Sequence, residues 1–121
     1  MPAVRLEVSK RVVAPGDEIT HTIVNEGAAA LLFGIGYGID ERTAGDWRPV
    51  NVQMAFAAAG LRVGPGESSS PMGTRIPPDL RGGRYRLTKS LRALGPQGAP
   101  LPKDVGEIRI CCEFVVETRR D

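Results

Sequence analysis

The sequence contains no run of about 18 apolar residues, the length a helix needs to cross a bilayer, so no helical membrane span is expected. Its two cysteines are too few for a disulfide-dense scaffold. His21 is the only histidine, which leaves metal and triad chemistry short of partners. Excess charge of one sign is nearly absent: 16 Lys and Arg stand against 14 Asp and Glu, a formal net charge of +2. That is too little to argue for nucleic acid. No segment carries a sustained helical period between caps. Turn formers are plentiful instead, with 15 Gly and 10 Pro among 121 residues. With 41% hydrophobic and 25% charged residues, and neither repeat nor linker, residues 1–121 read as one globular domain.

The chain reads as strands between turns. Val4, Leu6 and Val8 alternate with Arg5, Glu7 and Ser9, a strand over Ala3–Val8 rather than the apolar core of a signal peptide. If Met1 is the native start, the compartment is cytoplasmic by default; if the chain is an excised domain, it is extracellular or on the cell surface. Ala14-Pro15-Gly16-Asp17 is a turn, because Pro fixes one dihedral and Gly tolerates positive φ. Glu18–Asn25 is a strand with Ile19, His21 and Ile23 on one face, and Asn25-Glu26-Gly27 turns the chain. Leu31–Glu41 is read as one strand, in which Phe33, Ile35, Tyr37 and Ile39 alternate with Gly34, Gly36 and Gly38. Its bare face predicts a close backbone approach or a neighbouring ring lying over it.

Arg42–Asp46 is a polar hairpin loop, and Trp47 begins the return. Val52–Leu61 is read as a strand or irregular crossover, Val63–Glu67 as a tight turn, and Ser68–Ile76 as an edge strand, since Pro71 cannot donate to a ladder. Pro77–Gly83 is a loop. Arg84–Leu94 is a strand with Tyr85, Leu87 and Leu91 in one phase, and Gly95–Gly106 is a long Pro/Gly-rich loop. In Glu107–Glu117, Ile108, Ile110, Cys112, Phe114 and Val116 face inward, and Arg109, Cys111, Glu113 and Glu117 outward. Seven or eight short strands predict a sandwich or barrel.

The order of landmarks is more specific. Pro15-Gly16-Asp17 precedes a strand ending at Asn25; Phe33-Gly34, Tyr37-x-Ile39-x-Glu41 and Trp47 follow. Then come Phe56, Leu61, Gly64-Pro65-Gly66-Glu67-Ser68, Gly83-Arg84-Tyr85-Arg86-Leu87-x-Lys89 and Glu113-Phe114. Leu80-Arg81-Gly82-Gly83-Arg84-Tyr85 is similar to a tyrosine corner, whose hydroxyl bonds back to upstream backbone. From about Val4 to Glu117 the chain resembles a family of bacterial immunoglobulin-like domains, many of them in secreted proteins and lipoproteins. The resemblance implies an all-β fold, an immunoglobulin-like antiparallel β-sandwich of seven to eight strands. It brings no shared catalytic residues. Tyr85 and Trp47 are expected to be structural, with Trp47 as a core ring. A more distant likeness is to bacterial intracellular proteinase inhibitors, which implies an inhibitory loop at Gly95–Gly106.

Candidate sites are few. His21 lies in an inward phase and is read as a hydrogen-bonded, partly buried side chain. Ser68-Ser69-Ser70 lack a nucleophile-elbow pattern. Adjacent strand residues Cys111 and Cys112 point to opposite faces, so they neither bond together nor aim at one metal. Gly34-x-Gly36-x-Gly38 lacks the Lys-Ser/Thr and following helix of a phosphate loop. The acids Asp40, Glu41, Asp46, Asp104 and Glu107 show no EF-hand spacing. Arg81, Arg84, Arg86, Lys89 and Arg92 crowd a dozen positions, and Arg84, Arg86 and Arg92 share the phase opposite Tyr85. They are the partner-binding candidates, in competition with a solvated face paired to Glu113 and Glu117. No catalytic, cofactor or metal residue is assigned. The expectation is a non-enzymatic binding or scaffolding module with a protein partner or larger polypeptide context, no cofactor and no nucleic acid. The rival is a proteinase inhibitor.

Overall fold

The structure, a computed structural model, describes residues 3–34, 36–50, 61–95 and 106–118. Ten strand segments are formed among them: β1 (Val4–Val8), β2 (Val12–Val13), β3 (Glu18–Asn25), β4 (Leu31–Phe33) and β5 (Gly38–Thr43), then β6 (Asp46–Pro49), β7 (Leu61–Val63), β8 (Met72–Arg75), β9 (Gly83–Ala93) and β10 (Glu107–Val116). They make two sheets. The small sheet has the order β1-β3-β8. The large one runs β2-β10-β9-β4-β7, with β5 also paired to β9 and β6 to β5. The fold is the expected all-β sandwich. Nearly all pairs are antiparallel; the exception is β2, which lies parallel to β10 at Val12–Val115 and Val13–Val116.

The two inner faces form the core, because alternate residues of each strand point inward. Leu6, Ile19 and Ile23 of the small sheet meet Ile39, Leu87, Leu91, Ile110 and Phe114 of the large one. Two turns share one construction. Pro15-Gly16 and Pro65-Gly66 put glycine at φ +84° and +75°, where the turn requires positive φ. Each turn closes with a backbone bond, Asp17 N to Ala14 O (3.1 Å) and Glu67 N to Gly64 O (3.1 Å).

The tyrosine corner is formed. Tyr85 is buried, stacks on Phe114 with centroids 5.8 Å apart, and donates its hydroxyl to Arg81 O at 2.7 Å. Arg81 grips Glu41 with two bonds of 2.7 and 3.1 Å, which pins the corner to β5 and holds the Glu41 carboxyl below its ordinary pKa.

Three expectations are corrected. Leu31–Glu41 is two strands, not one: β4 pairs with β7 and one end of β9, and β5 with β6 and the other end of β9. Val12–Val13, unassigned from sequence, forms the parallel edge β2. Trp47 is not a core ring. It pairs in register with Arg42 across a tight Ala44-Gly45 turn, and Arg42 points outward. The Val52–Leu61 reading lies outside the described residues except for Leu61, which begins β7. The Gly95–Gly106 loop likewise lies outside them except at its two ends.

Candidate functional site

The outward phase of the large sheet gathers charged residues. Register places Arg84, Arg86 and Arg92 of β9 on this face, with Arg109 and Glu113 of β10 beside them. Arg42 and Asp40 of β5 and Arg62 of β7 share it. Six arginines therefore meet three acids, Asp40, Glu107 and Glu113.

The middle of this face is a ladder across four strands. Two guanidinium groups lie over the Trp47 ring, Arg42 at 5.3 Å and Arg86 at 4.8 Å from its centroid. A cation over an aromatic face is attracted by the ring's negative quadrupole. Arg86 also donates to the buried Asp40 at 2.7 Å, and Arg109 approaches Asp40 at 3.8 Å. Arg84 donates to Glu113 at 2.7 Å, so one of the acids named from sequence does pair with the stripe. Arg92 lies beside a shallow depression with Leu32, Ser90 and Glu107. At Gly38 the bare side faces a side chain rather than the expected backbone or ring: an added Cβ would meet Thr88 Oγ1 at 2.5 Å.

The inward phase holds a second polar cluster. Lys89 is 2% exposed, in step with Tyr85, Leu87 and Leu91. Its ammonium donates to His21 Nε2 at 3.2 Å, lies 3.6 Å from Met72 Sδ and 5.7 Å from the Phe33 ring centroid. Burial lowers the Lys89 pKa to about 8. Burial first, then the nearby ammonium, lowers the His21 pKa to about 4, so the imidazole is neutral at pH 7. Nε2 then accepts from Lys89, and Nδ1–H donates to Thr74 Oγ1 at 2.5 Å. The chain Lys89–His21–Thr74 ties β9 of one sheet to β3 and β8 of the other. It is sealed from solvent, which suits a structural tie rather than acid–base work on a substrate.

The remaining candidates stay apart. Ser69 Oγ accepts from Ile23 N (2.9 Å) and donates to Ser70 O (3.1 Å), so it clamps backbone. Cys111 is exposed and Cys112 buried, as the pleat predicts, and burial raises the Cys112 pKa. Among the described residues no group of three or more His, Cys, Asp or Glu is placed to hold a metal. Sequence reasoning missed Lys89 as a core residue, although its place in the Tyr85–Leu87–Leu91 phase carried the signal.

A family model described as a bacterial Ig-like domain matches residues 2–109. No curated protein matches the chain. Among solved structures, the sporulation control protein Spo0M of Bacillus subtilis is similar at 13% identity and a TM-score of 0.47, over 100% of this chain and 51% of that one. The DNA-bound alkylpurine DNA glycosylase AlkC of Pseudomonas fluorescens is similar at 17% identity and a TM-score of 0.44, over 95% of this chain and 30% of that one. A human ASH/PapD-like domain of CEP192 is similar at 13% identity and a TM-score of 0.37, over 98% of this chain and 87% of that one. The chain thus spans about half of the first protein and under a third of the second.

Proposed function

Because this chain belongs to the bacterial Ig-like domain family, we propose that it is a non-enzymatic binding module that meets a protein partner through the outer face of its large sheet. Fold alone names no activity, so the reading rests on the face itself. The observation that carries it is Trp47, partly exposed and in contact with the guanidinium groups of Arg42 and Arg86. Trp and Arg are the residue types that dominate binding energy at interfaces. Here Arg86 is already held by Asp40, which lowers the entropy cost of docking. Arg84, Arg86 and Arg92 are contact residues in this reading. His21 and Lys89, the buried titratable pair, are spent on joining the sheets.

Photocrosslinking in the producing cell tests this. A photoreactive residue replaces Arg92 on the large sheet or Thr22 on the small one. The expected result is a recurrent protein adduct from position 92 and none from position 22. Equal adducts from both positions, or none from either, overturn the reading.

A further inference from the structure

The charge of the molecule is unevenly placed. On the outer face of the small sheet, Arg5 and Arg75 are balanced by Glu7 and Glu18. The outer face of the large sheet carries six arginines and three acids, a local excess of positive charge. Asp40 and Glu113 are engaged by Arg86 and Arg84. Among the described residues, no ion pair is formed by Arg42, Arg62 or Arg92, and Arg109 has only the 3.8 Å approach to Asp40. These guanidinium groups keep most of their donors for another molecule, in the fork geometry that suits carboxylates.

Their arrangement favours one class of ligand. Arg109 of β10 stands opposite Ser90, two residues from Arg92 along β9, a rise of about 6.6 Å. Carboxylates on alternate residues of an extended peptide repeat at the same interval. A nucleic-acid strand fits less well, since single strands use aromatic rings on which bases stack. Trp47, the only tryptophan, already carries a guanidinium at Arg42 and another at Arg86. Asp40, Glu107 and Glu113 also interrupt the positive field that a continuous phosphate backbone requires.

We propose that the partner presents an acidic, extended segment that lies along β9 on the outer face of the large sheet, with carboxylates on Arg42, Arg92 and Arg109. The proposal rests on the reading of that face as the contact surface and adds the chemistry of the partner. Fluorescence anisotropy of the full chain tests it with three labelled probes: a peptide alternating Glu with Thr, its Lys–Thr counterpart, and oligothymidylate. The Glu–Thr peptide is expected to bind tightest and to lose affinity as salt rises. Arg42→Ala with Arg92→Ala should weaken it about tenfold. Arg42→Lys with Arg92→Lys, which keeps the charge and removes the fork, should weaken it by less. Arg5→Ala, on the opposite face, should leave it unchanged. The proposal is overturned if the Glu–Thr peptide binds no better than the Lys–Thr one, if oligothymidylate binds tighter, or if Arg5→Ala costs as much as the double variant. Crosslinking from position 92 together with failure of the acidic peptide would keep the contact surface and remove only its proposed chemistry.

Discussion

At the scale of single residues, Lys89 is the costliest side chain to place, because a charged group loses its hydration when buried. Folding lowers its pKa from the ordinary 10.5 to about 8. Between these values the unfolded chain holds the proton more tightly, so stability rises as pH goes from 8 to 10.5, by on the order of 3 kcal/mol. Lys89→Met should stabilise the protein at pH 7 and flatten that rise, as read from urea unfolding at several pH values. His21 works the same way lower down. With its pKa lowered from 6.5 to about 4, stability should fall as pH drops through that window, and His21→Gln should remove the slope. Tyr85→Phe should cost about 1–2 kcal/mol by deleting the bond to Arg81 O. Trp47→Ala should cost only about 1 kcal/mol, the worth of its guanidinium contacts. A loss of about 3–5 kcal/mol would instead mean a core ring.

At the scale of elements, β10 is the best test of register. Cys112 shares the inward phase with Ile110 and Phe114, while Cys111 is exposed. Brief iodoacetamide treatment of the folded protein should label Cys111 and spare Cys112, and mass spectrometry of the peptides locates the label. Preferential labelling of Cys112 would mean a one-residue slip. Gly38→Ala on β5 should destabilise by about 1–3 kcal/mol, because the new Cβ meets Thr88 Oγ1, and Thr88→Ala should relieve part of that loss. The same elements show how far alternation reads. It placed β3 at its observed ends and β10 in its observed phase, because their inner and outer residues differ sharply in polarity. It ran β4 and β5 together, since Phe33, Tyr37 and Ile39 keep one parity across the break. A period of two says nothing about which neighbour each half pairs with. Lys89 was hidden for the opposite reason: its phase pointed inward while its charge pointed outward. Trp47 was misplaced by its size and by the resemblance, although a tight turn opposite Arg42 sends it out. The arginine stripe on β9 was legible from spacing, but Arg42, Arg62 and Arg109 join it only through cross-strand register.

At the scale of the whole molecule, β9 organises the large sheet: β10 lies along one edge, and β4 and β5 share the other. The same strand sends Tyr85, Leu87 and Leu91 into the core and Arg84, Arg86 and Arg92 to the outer face, so packing fixes the spacing of the arginines. The first part of the chain joins both layers. It leaves β1 in the small sheet and enters the large one as β2, where Arg11 O accepts from Val115 N (2.7 Å) and Val13 O from Glu117 N (2.8 Å). Because β2 runs parallel to β10, tension applied through Lys10 and Glu117 pulls the two strands past each other along their length. Both bonds then share the load at once, as rivets do in a lap joint, instead of opening one after the other like a zip. In single-molecule stretching the first resistance should come from this clasp. Glu117→Pro, which deletes the amide donated to Val13, should lower the force at which it gives way.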